Sequence, residues 1–198
     1  MKARRSEPGW RDGWWAGARQ SPSPNFGPRP AGERVGLVVL HSISLPPGVL
    51  RGDAVERLFL NTLNGDRHAC FARLRDLRVS AHFFVRRSGE VVQFVATHER
   101  AWHAGISSWG GRANCNDWSI GIELEGLEGR PFVAAQYRAL HRLLRAIIGR
   151  HPIDEVVGHE HVAPGRKRDP GGRFEWTRLA RALGDLRVRV WPHVAPMS

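Results

Sequence analysis

The apolar positions along the chain fall into three patterns, and each predicts a different kind of element. Val35-Gly36-Leu37-Val38-Val39-Leu40 is continuous and rich in β-branched residues, as a strand buried on both faces should be. It is expected to end at His41, ahead of a loop that Pro46-Pro47-Gly48 enforces. Residues 79–85 and 90–95 flank Arg86-Arg87-Ser88-Gly89 and predict an antiparallel hairpin. From Asp117 to Glu125 the pattern alternates, placing Trp118, Ile120, Ile122 and Leu124 on one face and Ser119, Gly121, Glu123 and Glu125 on the other. Tyr137, Leu140, Leu143, Leu144, Ile147 and Ile148 follow helical spacing, closed by Gly149 and Pro152, and predict an amphipathic core helix. Residues 153–159 read as a further strand and 176–183 as a short helix.

Strands interleaved with helices predict a mixed α/β fold, a single domain with a central mixed sheet and helices packed on it. Its expected span is 34–185. Before it, residues 1–33 carry Pro8, Pro22, Pro24, Pro28 and Pro30 among Trp10, Trp14 and Trp15, which predicts an irregular arm packed on the domain. After it, 186–198 reads as a tail.

A chain of 198 residues, 41% hydrophobic and 25% charged, suits one core and excludes a disordered or low-complexity chain. No apolar run approaches the ~18 residues of a spanning helix. Glu7, Pro8, Arg11 and Asp12 follow the basic start where an export signal would be apolar, and the two cysteines, Cys70 and Cys115, are too few for a disulfide framework. A cytoplasmic protein with no membrane contact is expected. The net charge of +11 predicts attraction to anions, yet the arginines are dispersed and no nucleic-acid motif occurs, so no nucleic-acid partner is expected. Only Lys2 and Lys167 among the 30 basic residues are lysines. Lysine can shift its pKa and trade a proton where arginine cannot, which draws attention to Lys167.

Five of the histidines, His68, His98, His141, His151 and His193, lie beside turns, charges or a polar helix face and read as ordinary solvated or packed residues. The densest patch of chemistry is the loop of residues 158–171, with His159, His161, Lys167 and Asp169 set among Gly and Pro. A hydrolytic metal site needs three nitrogen or oxygen ligands and one open position. His41, His159 and Asp169 could supply that set. By chemistry alone His82, His103 and His161 are equally good imidazoles, because no HExxH-type spacing singles out the ligands.

Five segments narrow the choice. Val38-Val39-Leu40-His41-Ser42, Arg78-Val79-Ser80-Ala81-His82, Arg100-Ala101-Trp102-His103-Ala104-Gly105, the run Cys115 to Gly126 and the 158–171 loop occur in the order found in AmpD-type anhydro-N-acetylmuramoyl-L-alanine amidases. From about Gly9 to Trp176 the chain resembles that family, whose wider relatives include peptidoglycan-recognition proteins. The resemblance implies an amidase fold with one zinc ion per chain, Zn2+ held by His41, His159 and Asp169. It implies hydrolysis of the lactyl amide between (anhydro-)N-acetylmuramic acid and L-alanine in peptidoglycan recycling, with Glu123 as general base and Lys167 stabilising the oxyanion. By the same resemblance Trp102 would stack on the sugar, Arg78 and Arg166 would meet stem-peptide carboxylates, and His103 would join the substrate-binding group. The implied partner is a small anhydromuropeptide, and a monomer is expected. The competing reading is a noncatalytic muropeptide-binding module of the same fold, which would have lost a ligand or Glu123. Two departures stand out: His161, where relatives carry a smaller polar residue, is placed to compete for the metal or pair with Glu160. Asn114 falls where some relatives carry a basic residue, a change that would remove a contact to a peptide carboxylate.

Overall fold

The computed structural model describes residues 9–192, so the start of the expected arm, the end of the expected tail and His193 lie outside the described residues. The central sheet is built from β1 (Arg19–Gln20), β2 (Leu37–Ile43), β3 (Phe83–Val85), β4 (Val91–Gln93), β5 (Ser119–Glu125), β6 (Glu155–Gly158) and β7 (Arg189–Val190). Their order is β7-β6-β2-β5-β3-β4-β1. The first five in that order run parallel, β3 and β4 form the antiparallel hairpin, and β1 lies parallel to β4 at the edge. The helices are α1 (Ala54–Phe59), α2 (Ala69–Ala72), α3 (Ala134–Arg150), α4 (His159–Val162) and α5 (Trp176–Ala182).

Side-chain alternation divides the core. Val38, Leu40, Ile120, Ile122, Leu124 and Val156 face α3, where Tyr137, Leu140, Leu143, Leu144 and Ile147 are buried at the predicted spacing. Burying one such Leu or Ile contributes roughly 1.5–3 kcal/mol, so this layer anchors the fold. Leu37, Val39 and Val157 turn to the opposite face with Ala104, Cys115 and Val162. His41 follows Leu37 and Val39 on that second face, by the two-residue period.

The strands read at 79–85, 90–95 and 153–159 are shorter, at Phe83–Val85, Val91–Gln93 and Glu155–Gly158, with His159 opening a helix, and two further readings differ from the structure. Strand β2 does not stop at His41 but continues to Ile43, because parallel pairing with β5 holds it through Glu125↔Ile43. Trp118 does not share a face with Ile120. It closes a 3-10 turn at Cys115–Asp117 with ψ of 14°, so the alternation has not yet begun, and its ring packs with Leu37 and Val39.

The proline-rich arm is more ordered than its composition suggests. Besides β1 it forms a small ribbon from Trp10–Arg11 and Trp14–Trp15, and Phe26–Gly27 pairs with Arg100–Ala101. Buried Gln93 clamps it, accepting from the Trp15 N–H at 2.8 Å and donating to the Gly13 carbonyl at 2.8 Å. In the segment read as a tail, Arg189–Val190 pairs with Glu155 and Val156.

Candidate metal centre

Three parallel strands deliver the reactive side chains to one place. Glu123 of β5 is in register with His41 of β2, and Gly158, the last residue of β6, is in register with Leu40, so His159 follows beside His41. The sites of α/β sheets lie at such carboxyl ends of parallel strands. The two imidazoles meet with ring centroids 4.3 Å apart. The chain then runs through α4 and returns, with the Glu160 N–H donating to the Asp169 carbonyl at 2.9 Å, which brings the Asp169 carboxylate to both rings.

The three donor atoms form a small triangle. His41 Nδ1 and His159 Nδ1 are 2.9 Å apart, and Asp169 Oδ2 stands 3.1 Å from His159 Nδ1 and 3.3 Å from His41 Nδ1. A tetrahedral ion with bonds of ~2.0–2.1 Å has ligand-to-ligand edges of ~3.3–3.4 Å, so a modest expansion of this triangle accepts one. The chemistry of the donors agrees. Nε2 of His159 lies 3.0 Å from the Ala104 carbonyl, which can only accept, so that nitrogen carries the proton and Nδ1 presents a lone pair to the triangle.

Charge within the site follows burial. Desolvation drops the His41 imidazole to about 4, keeping it neutral. Burial alone would raise the Asp169 carboxyl above the usual carboxylate range, and a cation in the triangle, faced by Oδ2 and by both Nδ1 lone pairs, would offset that cost. Burial, together with the negative charge of Asp169, pushes Glu123 well above that range, and Lys167 partly opposes the shift. Glu123 is half-buried as a residue, but its Oε2 is enclosed and has no hydrogen-bond partner. An orphaned carboxylate oxygen there is costly unless substrate, solvent or a cation engages it. Glu125, which alternation had paired with Glu123, is instead engaged by the Arg87 N–H at 2.8 Å.

Beside the triangle opens a cleft of about 410 Å³ whose walls include Ser42, Pro47, Leu127, Arg166, Lys167 and Asp169. Lys167 is exposed there. The Arg166 guanidinium donates to the Ala104 and Ile106 carbonyls at 2.7 and 2.6 Å, so part of its fork is engaged by the protein. Trp102 is half-buried, its backbone N–H on Ser80 Oγ, and Arg78 is exposed with its guanidinium on the Arg75 carbonyl; neither lines the cleft. His103 lies against His41, its Nδ1 2.9 Å from His41 Nε2. His161 does not compete for the metal. Its Nδ1 accepts from the Gly158 N–H at 2.8 Å and its ring packs against Trp176 and Trp191, while the pairing with Glu160 is loose at 3.6 Å.

Sequence reasoning passed over Asn116 and Ser119. Asn116 Oδ1 accepts from the His103 and Ala104 N–H groups at 3.1 and 2.8 Å, and Ser119 Oγ lies 3.2 Å from His103 Nε2. Both stand in the Cys115 to Gly126 motif, and their polarity beside buried neighbours was the available signal.

A family profile described as N-acetylmuramoyl-L-alanine amidase matches residues 31–172. The 1,6-anhydro-N-acetylmuramyl-L-alanine amidase AmpD of Salmonella typhimurium strain SL1344 is 48% identical over 173 residues, which is 86% of this chain and 92% of that protein. Among solved structures, a crystal structure of a selenomethionine AmpD derivative has a TM-score of 0.85 at 47% identity, covering 87% of this chain and 97% of the other. A complex of the Escherichia coli amidase AmiD with anhydro-N-acetylmuramic acid-L-Ala-D-gamma-Glu-L-Lys has a TM-score of 0.57 at 32% identity, covering 78% of this chain and 60% of the other.

Proposed function

The chain belongs to the N-acetylmuramoyl-L-alanine amidase family, and from that premise we infer that His41, His159 and Asp169 hold a zinc ion at which anhydromuropeptides are hydrolysed in peptidoglycan recycling. The bond cleaved is the lactyl amide between anhydro-N-acetylmuramic acid and L-alanine, the linkage present in the peptide bound by AmiD. The observation that carries the reading is the convergence of three metal-ligating atoms within 4.8 Å of one another beside the unpartnered Glu123 oxygen. When bound, zinc supplies Lewis acidity, lowering the pKa of a water and polarising the amide carbonyl.

The chain's own groups do the rest. Glu123 acts as general base toward the attacking water, and the enclosure that raises its pKa suits it to hold that proton. Lys167, on the wall of the cleft, provides positive charge for the oxyanion that forms as the carbonyl is attacked. Trp102 offers a ring to the sugar, Arg78 and Arg166 offer guanidinium groups to stem-peptide carboxylates, and His103 supports the site from behind His41. The domain responsible is assigned to 34–185, flanked by the arm at 1–33 and the segment 186–198. The free thiols of Cys70 and Cys115 support a reducing, cytoplasmic setting. Among the described residues no helix is long and apolar enough to cross a membrane.

Mass spectrometry of an anhydro-N-acetylmuramoyl peptide incubated with the protein tests this. Free peptide beginning with L-alanine is expected, lost on chelation and restored by zinc. Glu123→Gln is expected to retain stoichiometric zinc while kcat falls ~10²–10⁴-fold. Full activity in protein shown by metal analysis to be zinc-free, or full turnover by Glu123→Gln, would overturn the assignment.

A further inference from the structure

We propose that Ser119 and His103 are positioning residues that fix which nitrogen of His41 carries its proton, leaving Nδ1 bare and aimed at the metal position. The inference rests on the reading of His41 as a metal ligand and deepens it.

The argument starts at a group with no choice. The Cys115 carbonyl can only accept, and Ser119 Oγ lies 2.5 Å from it, so the serine proton is committed there. The same oxygen lies 3.2 Å from His103 Nε2 and, with its own proton spent, it can only accept. His103 must therefore carry its proton on Nε2, which leaves its Nδ1 as an acceptor. That Nδ1 lies 2.9 Å from His41 Nε2, so His41 donates from Nε2 in turn. Each bond dictates the direction of the next, and the lone pair emerges at His41 Nδ1, 2.9 Å from His159 Nδ1.

The two ligand histidines thus reach the same tautomer by different means. His159 is set by a backbone carbonyl that no substitution of its side-chain neighbours removes, whereas His41 depends on two side chains. The surroundings hold this relay in place. Ser119 is fully buried, Gly121 leaves the space His103 occupies, and Asn116 fixes the backbone at His103. Partners beyond the ligands of a metal commonly set the tautomer and raise the basicity of an imidazole, and losing one typically costs ~10–100-fold in metal affinity or activity.

The relay predicts a specific failure. In Ser119→Ala, His103 loses its acceptor and is free to carry its proton on Nδ1. It would then donate to His41 Nε2 and force the His41 proton onto the metal-binding nitrogen.

Nitrogen-15 NMR of histidine-labelled, metal-free protein, at a pH well above the ordinary histidine range, reads the tautomer. Competition against a chromophoric chelator reads zinc affinity. In the wild type His103 is expected on Nε2 alone. Ser119→Ala is expected to show Nδ1 protonation of His103 and about 10-fold weaker zinc binding, and His103→Leu up to ~100-fold weaker binding. His103→Asn places an amide oxygen where Nδ1 was and is expected to restore most of the affinity. A wild-type spectrum with the proton on His103 Nδ1 would overturn the relay. So would zinc affinity unchanged in Ser119→Ala and His103→Leu, even with thermal stability lowered, or His103→Asn binding as poorly as His103→Leu. His41→Ala and His159→Ala separate the two levels. If wild type binds zinc no better than these, the metal-site reading itself fails; if it does and the Ser119 and His103 variants match wild type, only the relay fails.

Discussion

Gly121 shows how one residue can serve the site by having no side chain. It lies in the middle of β5 with no positive φ to require glycine; the requirement comes from a neighbour, because a Cβ there would lie 2.4 Å from His103 Cγ. Its N–H meanwhile donates to His82 Nδ1 at 3.0 Å, so the backbone at this position orients one imidazole while its empty face receives another. Gly121→Ala is therefore expected to displace His103, lowering stability by ~1–3 kcal/mol, the usual cost of overpacking, and weakening zinc binding with it. Urea unfolding and chelator competition measure the two effects. An unchanged midpoint together with unchanged affinity would show that the ring moves aside freely.

At the level of elements, the arm is bound to the back of the site by a half-buried cation, Arg29. The Arg29 guanidinium donates to the carbonyls of Asn116, Asp117, Thr97 and Ser119 at 3.2, 2.8, 3.3 and 2.9 Å. Burial pulls its pKa down to about 10, with Asp117 opposing the shift, so it remains charged at neutral pH. Four carbonyls directed at one guanidinium compensate its desolvation, and they lose their donor if the arginine goes. Arg29→Met is expected to cost about 3 kcal/mol, because buried acceptors are left unsatisfied. A change in the urea midpoint equivalent to less than ~0.5 kcal/mol would mean that the arm is only loosely docked.

At the scale of the whole molecule, imidazoles that fold in the neutral form set the response to acid. His82 accepts from the Gly121 N–H with Nδ1, so its Nε2 carries the proton and donates to the Glu99 carbonyl at 3.1 Å. Burial, then the nearby Arg29 charge, keeps its pKa well below the ordinary value. His151 is held at about 4 by burial, then by Arg150, Arg29 and His98, and its Nε2 lies 2.9 Å from Thr97 Oγ1. Both folded values lie below the unfolded one of ~6.5, so the folded protein binds fewer protons in that window. Stability is present in full above about pH 6.5 and falls as the pH drops toward 4, by up to ~1.4 kcal/mol per pH unit for each such histidine. His82→Asn, which keeps an acceptor for the Gly121 N–H, is expected to give a flatter dependence by about one proton. Parallel curves for variant and wild type between about pH 6.5 and 5 would contradict this.

The amino-acid order by itself determined the elements whose burial follows a simple period. The β-branched run ahead of His41, the hairpin about Gly89 and the stripe of α3 each carry their own periodicity, and each appears in the structure. The resemblance carried by five motifs pointed to His41, His159 and Asp169, and their side chains meet. Folding alone decided what periodicity cannot encode: which histidine faces which, and which polar atoms are left over. His41 and His159 stand 118 positions apart and meet because β2 and β6 pair in register. The arm showed no period because its order comes from single long-range bonds, at Gln93 and Arg29, whose partners lie far along the chain. Glu123 and Glu125 were alike on paper. Only the tertiary structure set them apart, by giving one the Arg87 backbone N–H and leaving an enclosed oxygen of the other without a partner.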